Sequence, residues 1–158
     1  GGHSFIITSR STAAQRAFDR GLSWAYSFGH FAAEKEFRAA LAADPDCAMA
    51  WWGIALVNGP HINFPLVPPD KAAKAWDAIT NAQRLTSRCS PLEKSLIAAL
   101  AKRYAHPQPE DRSALDQAYA DALREIALEF TRIREAPEQW FWVHRRWPKQ
   151  AWVDAGVM

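Results

Sequence analysis

The stretch STAAQRAFDRGLSWAYSFGHFAAEKEFRAALAADPD, residues 11–46, decides the fold. Ala14, Ala17, Phe18, Gly21, Leu22, Ala25 and Phe28 recur at three- and four-residue steps. That spacing places them on one face of a helix. Ala33, Phe37, Ala40 and Leu41 do the same for a second helix. Gly29 stands between the two and is expected to stop the first. Asp44-Pro45-Asp46 closes the unit, because Pro45 has no backbone N–H to donate and biases Asp44 away from helix. Gly21, Ala33 and Ala40 are small where two antiparallel helices would touch, so their axes can approach closely. Trp24 and Phe37 are expected to fill the remaining gaps.

The pattern recurs downstream. Asp46 is expected to cap a third helix whose inner stripe is Cys47, Ala50, Trp51, Ile54 and Ala55. A helix over about residues 70–85 follows. Its Ala75, Ile79, Ala82 and Cys89 repeat Ala33, Phe37, Ala40 and Cys47 at a shift of 42 residues. Between them lies NGPHINFPLVPPD, residues 58–70, whose prolines break helix. A third unit opens on Ser90-Pro91-Leu92-Glu93, a capping box with proline at the first helical position. Its stripe is Leu92, Leu96, Ala99, Leu100 and Tyr104, and His106-Pro107-Gln108-Pro109 ends it. A longer helix is expected from about Asp111, with Leu115, Ala118, Tyr119, Ala122, Leu123 and Ile126 inward. At the other end, Phe5-Ile6-Ile7-Thr8 is β-like and is expected to lie extended over the first helix, which Ser11 or Thr12 caps.

Aligned on Pro45, the residues Gly21, Trp24, Ala33, Phe37, Ala40 and Pro45 resemble the glycine, aromatic, alanine, aromatic, alanine and proline positions of the tetratricopeptide repeat (TPR) family. Trp51 and Ala55 match its first large and its small position in the second repeat. Ala17 and Arg20 stand where that family carries large residues. The usual period is about 34 residues, and the 58–70 insertion supplies the excess. Residues 1–126 are similar to one group of bacterial TPR proteins, whose insertion carries residues like Asn58, Gly59, Pro60 and Asn63. The resemblance implies an all-α solenoid of about three hairpins, with no chemistry of its own and a protein or peptide partner in its concave groove. Candidate contacts are Tyr26, Trp52 and, in the insertion, Asn58, His61, Asn63 and Phe64. Core packing is expected for both Trp51 and Trp52, and where the pair divides, Trp51 is the core member and Trp52 turns towards the groove.

The last part changes character. In LEFTRIREAPEQWFWVHRRWPKQ, the residues Pro137, Glu138, Gln139, Trp140, Trp142, His144, Arg145, Arg146 and Trp147 resemble the closing segment of bacterial lipid A (lysophospholipid-type) acyltransferases. The second region, 127–158, is therefore a tail of different kinship. A fusion, a frameshifted or recombined reading frame and a misassembled sequence all fit the junction near residue 126. That resemblance implies peripheral membrane contact through Trp140, Trp142, Arg145, Arg146 and Trp147, with the aromatics at the headgroup level. Against this, the tail is read as a helical cap over the last repeat with a solvated basic edge, and the alternative function that the resemblance implies is a remnant or component of a membrane-associated lipid A acyltransferase without its catalytic domain. The acyltransferase family's catalytic His-x-x-x-x-Asp lies far upstream of its closing signature. Here His106 and Asp111 have that spacing, but they fall in a linker between helices, and Asp111 is read as a helix cap.

Composition sets the outer bounds. The chain has 158 residues, 49% of them hydrophobic, which suits one domain with a core. Net charge is +2, too mild to imply nucleic acid. No run reaches a membrane span, the start lacks the form of a signal peptide, and the compartment is left open. Cys47 and Cys89 have no neighbouring ligand pair. Equivalent positions in stacked repeats lie about 10 Å apart, beyond disulfide reach, so both are expected as small core residues. No nucleophile–base pair, phosphate loop or metal spacing appears, and no cofactor is expected.

Overall fold

The computed structural model describes residues 4–61 and 67–129. Over these residues the protein is all-α. Six helices follow one another: α1 Thr12–Tyr26, α2 His30–Ala43, α3 Ala48–Asn58, α4 Pro69–Arg84, α5 Pro91–Ala101 and α6 Ser113–Glu129. They pack as three consecutive hairpins, α1 on α2, α3 on α4 and α5 on α6. Hairpins join through α2 against α3 and α4 against α5, while α3 also touches both α1 and α5. The first helices of the hairpins therefore run side by side, with α3 in the middle.

The joint between the first two hairpins is organised around Phe37, which is fully buried. A Cβ on Gly21 of α1 would lie 2.5 Å from the Phe37 ring, and one on Gly53 of α3 would lie 2.7 Å from it. Two glycines thus form the walls of one aromatic slot. Phe18 packs at a tilt against the same ring, centroids 5.5 Å apart, and Phe5 lies 6.3 Å from Phe18.

Helix ends follow local chemistry. Ser11 Oγ accepts from Ala14 N at 3.2 Å and caps α1. Ser90 and Glu93 form the expected reciprocal capping box on α5. The turn after α1 differs from expectation. Gly29 N donates to Trp24 O and Phe28 N to Ala25 O, a Schellman closure. Its left-handed residue is Phe28, with φ of 61°, and Gly29 instead caps the start of α2. Glycine is kept at 29 by close approach, since a Cβ there would meet the Trp24 ring at 2.8 Å. Trp24 consequently covers the turn and is 48% exposed, not a core filler.

Further corrections concern caps and phases. Cys47, not Asp46, precedes α3, and Asp46 instead pairs with Arg88 at 2.6 Å. Asp111 Oδ1 accepts from Ser113 N, the first amide of α6, one residue earlier than a standard cap. His106 is exposed, with its ring stacked near Trp76. Helix α6 runs unbroken across residue 126, where the two resemblances meet. Leu115 and Ala118 are only half-buried, while Tyr119, Ala122, Leu123 and Ile126 are inside. Cys47 and Cys89 are both buried free thiols, each raised to about 11 by burial. Among the described residues no helix is long and apolar enough to cross a membrane. Asn63, Phe64, Trp140, Trp142, Arg145, Arg146 and Trp147 lie outside the described residues.

Candidate functional site

Two neighbouring regions carry polar side chains with defined partners. The first is the root of the 58–70 insertion. His30 begins α2, and its ring meets the His61 ring edge-on, centroids 4.3 Å apart. One turn into α2, Glu34 accepts from Asn58 Nδ2 at 3.0 Å and from Arg38 at 2.6 Å. Burial would raise the Glu34 carboxyl, but the hydrogen bonds from Arg38 and Asn58, with the charges of Arg38 and Lys74, outweigh it and hold it below its usual value. His30 is held below the ordinary histidine value, first by burial and then by the charge of Lys71. The fold therefore favours the neutral form of His30 and the ionised form of Glu34.

This region corrects the reading of Asn58. It is the last residue of α3 and fully buried, not an exposed loop contact. Its amide nitrogen bridges Ile54 O and Glu34, while its Oδ1 has no hydrogen-bond partner among the described residues. Trp52 is corrected too. It is 8% exposed, and its indole N–H donates to Leu96 O of α5 at 3.2 Å. Trp51 is the half-buried member of the pair. The phase failed because α3 is packed on nearly every side, and a helix apolar all round carries no amphipathic signal.

The second region is the α1 side of the row α1–α3–α5. Gln15, Asp19, Leu22 and Tyr26 share one stripe of α1. Residues 4–10 run extended along that stripe, opposite in direction to the helix. Gln15 Oε1 accepts from Ile7 N at 3.0 Å, and Gln15 Nε2 donates to Phe5 O at 2.8 Å. Asp19 Oδ1 accepts from Phe5 N at 3.3 Å, and Asp19 Oδ2 from Ser4 Oγ at 2.8 Å. The segment then reaches α5. Thr8 N and Thr8 Oγ1 donate to the two oxygens of Glu93, at 2.6 and 2.5 Å. Glu93 is 1% exposed and also accepts from Ser90 N at 2.7 Å, so its buried charge is answered by three donors. Ser9 Oγ and Arg10 N end the segment on Asp44, whose carboxyl the Ser9 bond holds below its usual value. Tyr26 continues the stripe past this segment and is 40% exposed.

The joint of the last hairpin is built on a buried arginine. Arg103 bonds Asp116 at 3.1 Å and lies over the Tyr119 ring at 5.0 Å. Burial raises the Tyr119 hydroxyl, the Arg103 charge lowers it, and nearby Tyr26 raises it further. No group of three or more His, Cys, Asp or Glu among the described residues could hold a metal ion.

Of the sequence-derived contacts, Tyr26 stays at the surface, His61 sits at the insertion root, and Trp52 and Asn58 are inside. Gln15, Asp19 and Glu93 were missed. A faint signal existed, since Gln15 and Asp19 are polar on the same stripe as Leu22. The chain matches no protein-family model, no curated protein and no solved structure.

Proposed function

We propose that the protein is a non-catalytic helical-repeat scaffold of the TPR type, which binds an extended segment of a partner protein along α1, α3 and α5. The observation that carries this reading is the Gln15 side chain. It engages the C=O of one extended residue and the N–H of the residue two further on, at 2.8 and 3.0 Å. An amide held rigidly on a helix and satisfying both backbone groups of an extended chain is how a repeat surface grips peptide without depending on its side chains. Tyr26, on the same stripe, adds a partly exposed aromatic of the kind that anchors binding surfaces.

The test is affinity capture with the native chain and with Tyr26→Ala, both verified as folded by circular dichroism. A partner retained by the native chain and lost by the variant supports the reading. Identical captured sets for the two chains would remove it.

A further inference from the structure

We propose that residues 4–10 are an exchangeable occupant of the binding face, and that the partner's segment follows their pattern: an aromatic, any residue, an aliphatic, then threonine. The inference deepens the scaffold reading and rests on it. The pattern comes from how the segment is seated. An extended chain turns alternate side chains to opposite sides. Phe5 faces inward on Phe18, Ile6 is 82% exposed, and Ile7 is buried in the core. Thr8 then presents an N–H and a hydroxyl to Glu93. A segment lacking either donor leaves a buried carboxylate short of partners, so Glu93 selects threonine or serine at that place. Ile6, turned to solvent, sets no requirement.

The mode of attachment makes the segment separable. Among the described residues it is hydrogen-bonded to the side chains of Gln15, Asp19, Asp44 and Glu93, and Ser9 Oγ also bonds the adjoining Ser11 backbone at the start of α1. None of these bonds joins its backbone to another element's backbone. Ile7 is its one buried side chain. The helices beneath have their own core around Phe37, and the segment reaches that core through two side chains, Ile7 and the partly buried Phe5. Elements with few buried apolar contacts open at far lower cost than the core. The same face is thus closed by the chain's own strap and opened by a competing segment, so the strap sets a threshold on partner affinity.

The experiment uses the full chain, native and with Ile7→Asp, titrated with a fluorescein-labelled peptide of sequence Ser-Phe-Ile-Ile-Thr-Ser-Arg and followed by anisotropy. The variant is expected to bind the peptide at least tenfold more tightly than the native chain. A peptide with valine for its threonine is expected to lose that binding. Equal or absent binding by a variant with native circular dichroism would overturn the proposal. Amide exchange on the native chain decides the matter should the variant not fold. Ile7 and Thr8 are expected to exchange at least 100-fold faster than Ile54 and Leu100, and exchange at the same rate would make the strap a permanent part of the core. Concentration-dependent dimers of the native chain that the peptide dissociates would assign the place to a second copy and overturn the partner claim. Failure here leaves Tyr26-dependent capture intact, whereas failure of the scaffold reading abolishes it.

Discussion

The joint between the first two hairpins and the joint of the last hairpin solve the same packing problem with different chemistry. At the first, Phe37 fills a slot walled by Gly21 and Gly53, and the ring's own contacts with Phe18 and the two glycines are apolar. At the last, two buried arginines do the work. Arg112 donates to Arg103 O and to Gln108, each at 2.7 Å, and Arg103 spans Asp116 and the Tyr119 ring. Gln108 in turn donates to Val67 O at 3.0 Å and ties the linker before α6 to the start of α4. Tyr104 lies between the two styles. Its hydroxyl donates to Ala55 O at 2.7 Å, and a Cβ on Gly59 would fall 2.1 Å from that oxygen. An apolar joint is strong wherever shape is matched. A polar joint is strong only while every partner is present.

The sharpest way to break this contrast is Phe37→Ala. Truncating a large buried aromatic is expected to cost roughly 3–5 kcal/mol, read from urea unfolding of the full chain. Loss near 1 kcal/mol would mean that the slot collapses and does not organise the joint. Gly53→Ala should overfill the same slot and cost about 1–3 kcal/mol. A neutral result there would show that the ring can move aside.

At the polar joint, Arg112→Met keeps length but removes donors, leaving Arg103 O unpaired. A loss of about 1–3 kcal/mol is expected in the same assay. Since two arginines share one network, Arg112→Met combined with Asp116→Asn should depart from additivity, whereas Arg112→Met with Phe37→Ala should add. Tyr104→Phe removes one hydroxyl from a buried carbonyl and should cost about 1 kcal/mol.

The smallest effect is a pH dependence at the insertion root. His30 is lowered by burial and by Lys71, so the fold favours its neutral form. The unfolded chain takes up that proton near pH 6.5, its ordinary value. Stability from this group is therefore whole above about pH 6.5 and declines as pH falls from there to the folded value. Urea midpoints between pH 7.5 and 5 should show this decline, and His30→Gln should flatten it. An unchanged slope in the variant would place the titration elsewhere. Asp44 and Glu34, both held low, lose their contributions in a separate window, below the usual carboxylate range.

How much was legible differs between the two joints for the same reason. The apolar one is written in periodicity. Ala33, Phe37 and Ala40 at helical steps opposite Gly21 identify which faces meet, because burial of apolar surface is set by spacing along the chain. The capping box at Ser90 and Glu93 is equally local, resting on residues three apart. Nothing in the spacing of Arg103, Arg112 and Asp116 announces that they share one buried network. Charged residues are ordinarily solvent-facing, and only the return of α6 against α5 brings them together.

The extended segment over α1 shows the same division. An extended Phe5-Ile6-Ile7-Thr8 over the first helix could be read in advance. That Thr8 would reach Glu93, 85 positions away, could not. Nor could the phase of Trp51 and Trp52, because a helix apolar on every side has no preferred face until its neighbours are placed. Residue order along the chain sets the helices, most of their ends and the pairing of each helix with the next, since these depend on backbone propensity and on apolar spacing between near neighbours in sequence. The tertiary structure alone decided which indole is buried, which carboxylate closes the strap and where the arginines find their partners. Those outcomes depend on desolvation, and a side chain's exposure to water is known only once distant segments have come to lie against it.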